Sequence, residues 1–312
     1  MTTTAIAVSG LRKTFGDKTV LDGIDFEVPA GTVFSLLGPN GAGKTTTVNV
    51  LTTLIKADSG TVRVAGNDVA TDAKSVRSAI GVTGQFAAVD ELLTGRENLQ
   101  LMVDLTSAKV DKRVVDKLLE RFDLVESADK SAATYSGGMR RKLDLAMTLV
   151  GNPRIIFLDE PTTGLDPRSR RTMWTIIREL LADGVTIFLT TQYLDEADEL
   201  ADRIAVLNKG KLVAEGTPEE LKRQIPGTHV RFRFASFDDL DVAAGIMPES
   251  TRDDDALTLR VPSDGGTKSV RALLDRLDEH SLDAEEFSVH TPDLDDVFLA
   301  LTGHDTAEVV AK

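Results

Sequence analysis

Five short runs of apolar and β-branched residues recur along the chain, with helical patterns between them. They are residues 33–37, 80–83, 155–158, 186–190 and 204–207. Most are apolar throughout, which is typical of parallel strands that are buried on both faces of a sheet. The opening segment differs, because turn residues at Gly16-Asp17 and Asp22-Gly23 separate the apolar positions 5–8, 20 and 24–28. This spacing predicts antiparallel strands joined by two turns.

From residue 86 to about residue 152, helical patterning replaces the strand pattern. Thr94 and Glu97 have the spacing of a capping box ahead of an apolar helix face. That face consists of Leu99, Leu101, Met102 and Leu105, and a second one consists of Val114, Val115, Leu118, Leu119 and Phe122. We therefore expect a helical insertion in the sheet at residues 86–152. A separate helix is predicted at residues 46–54. Thr217 and Pro218 predict one more helix start.

Pro226-Gly227 marks a boundary between two domains, residues 1–222 and 223–312. Beyond it, alternating positions predict strands at 229–234, 257–261 and 287–290. Residues 270–277 have helical spacing, and Thr291-Pro292 opens a final helix. The pattern predicts a small α+β domain at the C-terminal end.

Charge and composition restrict the possible functions. The 312 residues are 41% hydrophobic with a net charge of −14. Residues 1–222 contain 27 basic and 31 acidic side chains, whereas residues 223–312 contain 9 and 19. This acidic field repels phosphate backbones, so no nucleic-acid partner is expected. The absence of cysteine excludes disulfides and thiol catalysis.

The apolar runs are the length of strands, far below the roughly 20 residues that cross a bilayer. Residues 1–10 lack both a basic start and an apolar segment of the kind found in signal peptides. We therefore expect a cytoplasmic protein.

A glycine-rich loop follows the strand at residues 33–37 and precedes a predicted helix. It reads Gly38, Pro39, Asn40, Gly41, Ala42, Gly43, Lys44 and Thr45, with Thr46 next. In this phosphate-binding loop (P-loop), glycines let backbone N–H groups surround phosphates, a lysine adds charge at the β/γ oxygens, and a threonine hydroxyl is a Mg²⁺ ligand. The loop predicts a site for ATP and Mg²⁺.

Asp159 and Glu160 directly follow the apolar run at residues 155–158. A carboxylate at the end of a strand can hold a metal through water, and the carboxylate beside it can polarise an attacking water. We assign these roles to Asp159 and Glu160, respectively. An acidic pair alone would also suit an ordinary loop.

Ser136, Gly137 and Gly138 form a small-residue turn, the signature turn, between the P-loop and the acidic pair. A helix that starts there would direct its positive dipole end at an anion. This order of motifs, with the run Pro161 to Pro167 after the acidic pair, resembles the ATP-binding-cassette (ABC) ATPases. The resemblance implies an α/β P-loop NTPase fold with a mixed sheet, an antiparallel β subdomain and a helical subdomain, followed here by the small C-terminal α+β domain.

The resemblance also implies roles for single residues. Gln85 matches the family's glutamine that senses the metal and links ATP to a membrane partner. Phe15 stands where the family places an aromatic ring against adenine, although a core aromatic is the rival interpretation. The signature turn contacts ATP held by a second subunit, so the family works as a head-to-tail homodimer.

Two departures from the family pattern bear on the site. Tyr135 and Met139 replace the usual leucine and glutamine around the signature turn. Gln192 stands where the family has a histidine that reaches the γ-phosphate, and residues 1–228 contain no histidine. A glutamine donates a hydrogen bond but carries no proton or positive charge. We therefore expect slow turnover that depends on Glu160.

Three longer runs, residues 90–99, 190–198 and 294–299, resemble the ATPase subunits of daunorubicin-resistance-type exporters. This implies a subunit on the inner face of the membrane that energises a separate transmembrane permease, which handles a small hydrophobic compound. A soluble ABC regulator or a drug-sequestering resistance protein is the alternative. The C-terminal domain would hold subunits together or merely pack as an appendage.

Overall fold

The structure is a computed structural model that describes residues 3–85, 88–106, 110–223, 227–290 and 292–302. The chain divides into two units, Met1–Pro218 and Glu219–Lys312. Phe86, Pro226 and Thr291, at which the sequence predicts the start of the insertion, a boundary and a helix start, lie outside the described residues.

The first unit is built on a six-stranded sheet whose strands run in the order β10-β9-β3-β8-β7-β6. These strands are β3 (Val33–Leu37), β6 (Ile80–Thr83), β7 (Ile155–Asp159), β8 (Thr186–Thr191), β9 (Arg203–Asn208) and β10 (Lys211–Gly216). All neighbours pair in parallel except β10 with β9. Every residue of β3, β7 and β8 is buried, which confirms the predicted parallel sheet covered on both faces.

A second sheet, in the order β2-β1-β4-β5, is antiparallel. It contains β1 (Thr4–Phe15), β2 (Lys18–Pro29), β4 (Ser59–Val64) and β5 (Asn67–Asp68). The turn predicted at Asp22-Gly23 is wrong, because β2 runs through both residues and stays paired with β1 across shifts of register. Gly23 has φ +74° and lies within this irregular stretch, where glycine is free to adopt a conformation that disfavours other residues.

Four phenylalanine rings join the two sheets. Phe26 of β2 packs against Phe34 of β3 at 5.3 Å and against Phe188 of β8 at 5.8 Å between ring centroids. Phe157 of β7 continues the row at 5.5 Å from Phe188. Aromatic rings bury large apolar areas at these separations. The P-loop side of the sheet is thereby anchored to the antiparallel sheet.

The helices of the first unit include α1 (Lys44–Leu51), α2 (Ala73–Ala79), α3 (Gly95–Leu105), α4 (Val114–Arg121), α5 (Gly137–Leu149), α6 (Pro167–Ala182) and α7 (Leu194–Leu200). Helices α3 to α5 form the predicted insertion, and the capping box of Thr94 and Glu97 is present. The P-loop helix α1 begins at Lys44 and ends at Leu51, so the predicted range 46–54 was shifted. The last predicted turn is not helical, because Thr52 and Thr53 follow the end of α1 and Thr53 has φ +65°.

The helix predicted at Thr217-Pro218 is α8 (Pro218–Arg223). The second unit then contains β11 (His229–Arg233), α9 (Phe237–Ile246), β12 (Thr251–Asp253), β13 (Thr258–Pro262), α10 (Thr267–Glu279), β14 (Glu286–His290) and α11 (Leu294–Thr302). The antiparallel sheet order is β12-β13-β11-β14. Its core includes Val230, Phe232, Leu240 and Leu259. Within the described parts of the chain, no helix is long and apolar enough to span a membrane.

Helices α6 and α7 are joined by a buried polar contact. The indole Nε1–H of Trp174 donates to Oε1 of Glu196 at 3.1 Å, and Glu196 is fully buried. Burial raises the pKa of Glu196 above its usual value, and the hydrogen bond from Trp174 partly offsets this rise. The ionised carboxylate is therefore disfavoured in the folded state.

This contact predicts a stability that depends on pH. Because the folded pKa of Glu196 lies above the unfolded pKa, its contribution to folding is complete below the unfolded value and is lost as pH rises through the folded value. Glu196→Gln keeps the acceptor for Trp174 and removes the titration. We expect the unfolding free energy of the variant, relative to the wild type, to increase as pH rises above the ordinary glutamate pKa of 4.5.

Denaturant unfolding at a series of pH values measures this difference, with the fluorescence of Trp174, the single tryptophan of the chain, as the probe. A difference that stays constant between pH 4 and pH 8 would show that Glu196 ionises as easily in the folded state as in the unfolded chain.

Candidate active site

The P-loop links the end of β3 to the start of α1. Two of its glycines are required by close contacts. A Cβ atom on Gly38 would lie 2.3 Å from the carbonyl oxygen of Leu207, and one on Gly43 would lie 2.7 Å from Leu21. Gly43 also has φ +114°, which L side chains rarely adopt. The backbone of the loop is thus packed too tightly at these two positions for any residue with a side chain.

The N-terminus of α1 is left without a side-chain cap. Gly43 stands at the capping position, and the first turn contains no acidic residue. The first N–H groups of a helix have no partner within the helix and carry the positive end of its dipole. Such an end is an anion site when backbone approach is open.

Lys44 is buried and turns back over its own loop. Its Nζ donates to the carbonyl oxygens of Gly38 at 2.7 Å and of Pro39 at 3.2 Å. Nζ also forms an ion pair with Oε1 of Glu160 at 3.2 Å, and both side chains are less than a tenth exposed. The lysine charge therefore lies between the P-loop and the carboxylate that follows β7.

Glu160 is held in a left-handed backbone conformation with φ 49°. Its N–H donates to both the carbonyl oxygen and the hydroxyl of Thr190, each at 3.1 Å. Backbone in this region is uncommon for residues other than glycine and recurs at functional sites. These bonds from β8 fix the direction in which the Glu160 side chain leaves the strand end.

The second carboxylate oxygen of Glu160 accepts two further bonds. Gln85 Nε2 donates at 3.5 Å, and Thr163 Oγ1 donates at 3.3 Å. The structure therefore brings together Lys44, Gln85 and Glu160, three of the predicted catalytic residues. Sequence reasoning missed Thr163, although it stands in the same run that follows the acidic pair.

A cavity of about 320 Å³ lies in front of these residues. Its lining consists of Lys18, Val20, Asn40, Gly41, Gly43, Lys44, Thr45, Thr46, Gln85 and Glu160. Lys18 and Val20 come from β2 and were not predicted. Their place in the lining follows from the pairing of β2 with β1, which short-range sequence patterns do not reveal.

Phe15 does not line the cavity. It is half exposed at the end of β1, where it pairs in register with Lys18. The Lys13 ammonium lies 5.2 Å from the ring centroid. Because the ring is half exposed and outside the core, the core interpretation of Phe15 does not hold.

The oxygen donors at the site fit Mg²⁺, which prefers hard oxygen ligands and retains water. Thr45 and Gln85 both line the cavity, and their side chains contain a hydroxyl and an amide oxygen. The buried Asp159 carboxylate accepts a hydrogen bond from Thr190 through Oδ1. Asp159 is not part of the cavity lining.

Gln192 follows β8, half-buried, and is not among the cavity-lining residues. Its side chain forms no hydrogen bond with another described residue. The neighbouring Tyr193 ring stacks on the Arg170 guanidinium at 4.7 Å, and Arg170 pairs with Asp195. The segment around Gln192 is thus held by its neighbours, while the Gln192 amide stays uncommitted.

The signature turn begins α5. The hydroxyl of Ser136 caps the helix by accepting from the N–H of Met139 at 3.2 Å. A Cβ atom on Gly138 would meet Oγ of Ser169 at 2.6 Å, so the helix start packs tightly on α6. None of Ser136, Gly137 and Gly138 lines the cavity of this chain.

Tyr135 departs from the family pattern for a structural reason. Its ring is buried in the core of the helical part, and its hydroxyl donates to the carbonyl oxygen of Ser127 at 2.6 Å. Burial raises the pKa of this hydroxyl. Tyr135 therefore supports the helical part and does not extend the exposed signature turn.

Together, the fold and the site define a P-loop ATPase of the ATP-binding-cassette type. A family model described as "ABC transporter" matches residues 21–163, and one described as "ATP-binding protein DrrA1-3-like, C-terminal domain" matches residues 216–302.

Similar proteins cover nearly the whole chain. The daunorubicin resistance ATP-binding protein DrrA3 of Streptomyces coeruleorubidus is 47% identical over 98% of each chain. The doxorubicin resistance ATP-binding protein DrrA of Mycobacterium tuberculosis strain H37Rv is 43% identical over 96% of this chain and 93% of its own. The chain belongs to the ABC transporter family, as an ATP-binding protein with ATPase activity.

Solved structures agree with this assignment. An ATP-binding cassette of an ABC transporter in its ADP conformation matches with a TM-score of 0.64 and 29% identity, over 70% of this chain and 93% of that chain. A nucleotide-free cassette matches with a TM-score of 0.65 and 28% identity, over 71% and 94%.

The geometry predicts that Glu160→Gln separates ATP binding from hydrolysis. The amide cannot accept a proton from water, and loss of a general base costs about 10²- to 10⁴-fold in rate. The variant also frees Lys44 from its ion pair, so ATP affinity should not fall. Steady-state phosphate release and binding of a fluorescent ATP analogue measure the two effects.

Lys44→Met is the control, because it removes the charge directed at the phosphates and should weaken binding itself. A Glu160→Gln variant with near-normal turnover would exclude Glu160 as the base.

Proposed function

We propose that the chain is the ATP-hydrolysing subunit of a drug-resistance-type exporter and that it energises a separate transmembrane permease. The observation that carries the mechanism is the convergence of Lys44, Gln85 and Glu160 on one cavity beside the uncapped start of α1. The relatives are named for resistance to daunorubicin or doxorubicin, and these names support the export of a small hydrophobic compound.

ATP binding would replace contacts that the chain now makes with itself. The phosphates would take the free N–H groups of α1 and draw Lys44 away from Glu160. Glu160, released from its ion pair, would then accept a proton from the attacking water. Gln85 would hold the carboxylate from the other side.

Thr45 and Asp159 would hold Mg²⁺, with Gln85 as the third contact. Bound Mg²⁺ neutralises charge on the β and γ phosphates in this class of enzyme. Phe15 would offer its ring to adenine, which fits its exposure at the edge of the antiparallel sheet.

The signature turn would complete the site of a second copy. It is exposed at the start of a helix and does not contribute to the cavity of its own chain. A helix end directed at the γ-phosphate of ATP bound by a partner would use its dipole and N–H groups. This arrangement requires two chains, paired head to tail, with two ATP molecules between them.

A groove in the first unit supports the coupling to a permease. It has a volume of about 450 Å³ and lies between the α2–β6 segment and the C-terminal ends of α3 and α5. Apolar Met102 and Leu105 lie beside basic Lys74 and Arg77. Leu105 is 71% exposed, so this groove has an apolar part that is open to a partner. We assign this groove and Gln85 to the permease, which would place the chain on the inner face of the membrane.

Gln192 favours a second function, an ATP-gated protein that regulates or sequesters a drug without transport. In this alternative, hydrolysis is incidental, because the uncommitted amide of Gln192 carries no charge to the γ-phosphate. The two functions differ in whether membranes that contain the permease accelerate ATP hydrolysis.

The head-to-tail arrangement predicts ATP-dependent dimerisation of Glu160→Gln. In saturating Mg·ATP, light scattering should give a mass of twice the 33.6 kDa of one chain. Without nucleotide, the fraction of this dimer should be smaller. Adding Ser136→Arg should abolish the dimer without loss of ATP binding, since the long cation blocks the exposed helix start.

Asp72→Arg in the same background is the matched control. It also removes an exposed helix cap, at α2, and should leave the dimer intact. A Glu160→Gln protein that stays monomeric in Mg·ATP, or a Ser136→Arg variant that still dimerises, would contradict the arrangement.

A further inference from the structure

Arg141 is a buried arginine on the face of α5 that packs towards the sheet. Only 7% of the residue is exposed, and its guanidinium donates to three backbone carbonyl oxygens. These belong to Gly84 at 2.7 Å, Pro161 at 2.9 Å and Asp159 at 3.2 Å. One side chain therefore satisfies carbonyls from two separate strand ends.

These carbonyls belong to residues that directly adjoin two residues of the candidate active site. Gly84 directly precedes Gln85, while Asp159 and Pro161 stand on either side of Glu160. The Gln85 amide and the Glu160 carboxylate meet at 3.5 Å. Arg141 thus holds the backbone next to both members of that contact but touches neither side chain.

Asp144, one turn along α5, completes the arrangement. Its Oδ2 accepts from Arg141 at 3.2 Å, and its Oδ1 accepts from the N–H of Ala88 at 2.9 Å. The pair therefore fixes the chain on both sides of Gln85, at Gly84 and at Ala88. Burial lowers the pKa of Arg141 and raises that of Asp144, so each charge depends on its partner.

A buried ion pair is an inefficient way to stabilise a fold, because the cost of removing both charges from water offsets most of their attraction. Apolar residues of similar volume could fill the same space, but they would leave the carbonyls of Gly84, Asp159 and Pro161 without this donor. The planar fork of the guanidinium, however, can bind several carbonyls in fixed directions. The contacts made by Arg141 use this property.

We propose that Arg141 is a positioning residue for ATP hydrolysis, which holds the backbone at Gly84 and around Glu160 so that the Gln85 amide meets the Glu160 carboxylate. Asp144 orients the guanidinium and secures the other side of the Gln85 segment. Because α5 also carries the signature turn, Arg141 ties the start of this helix to the hydrolytic residues of the same chain.

The test is a double-mutant cycle on the full chain. Arg141→Lys keeps the positive charge but cannot bind three carbonyls and Asp144 at once. We expect it to lower kcat about tenfold, equivalent to ~1.4 kcal/mol in the barrier, with KM for ATP changed less than twofold. In a Gln85→Ala background, the same substitution should lower kcat less than twofold, because its effect acts through Gln85.

Arg140→Lys is the matched control on the same helix. Arg140 also donates to backbone carbonyls, of Ala132 and Ala133, but both lie within the helical part. Its replacement should leave kcat and the cycle unchanged. Asp144→Asn keeps an acceptor for Ala88 and loses the charge, so we expect a smaller fall in kcat that also disappears in the Gln85→Ala background.

Normal kcat in Arg141→Lys would overturn the proposal. So would an equal loss with and without Gln85, which would indicate a general structural role. If Arg141→Lys does not fold, Asp144→Asn gives the same two readouts. In that case, a fall in kcat that is as large in the Gln85→Ala background as in the wild type would by itself overturn the proposal.

Discussion

The site depends on the ion pair between Lys44 and Glu160, at 3.2 Å and almost removed from water. Neither charge could be buried alone without a large cost, so each fixes the other. Lys44 is held by two carbonyls of its own loop, and Glu160 by Thr190, Thr163 and Gln85. In the function that we propose, a ligand that attracts Lys44 releases Glu160, and phosphate binding is thereby joined to activation of the base.

The sheet makes this pair possible, because neighbouring parallel strands end at the same edge. The P-loop follows β3, Glu160 follows β7, Gln85 follows β6 and Gln192 follows β8, and these strands are adjacent in the order β3-β8-β7-β6. Ligands of open α/β sheets bind at this edge. The phenylalanine row between the sheets and the buried strands keep the strand ends in place.

The parallel strands could be predicted from sequence because full burial makes them apolar throughout, and the motifs at their ends gave the main site residues. Short-range patterns failed where pairing decides the structure. The β2 strand passes through Asp22-Gly23, and β4 has only two buried positions, Val62 and Val64. The clearest omission was a role for Arg141, since an arginine directly between two other basic residues, Arg140 and Lys142, looks like part of an exposed face. Only the folded arrangement shows that its partners are carbonyls beside Gln85 and Glu160.

We expect ATP to take Lys44 from Glu160. A crystal structure of the wild-type chain with Mg²⁺ and a non-hydrolysable ATP analogue measures this directly. Lys44 Nζ should contact the β or γ phosphate and lie more than about 4 Å from the Glu160 carboxylate, beyond salt-bridge distance. An analogue bound in the cavity with the Lys44–Glu160 pair still intact would contradict it.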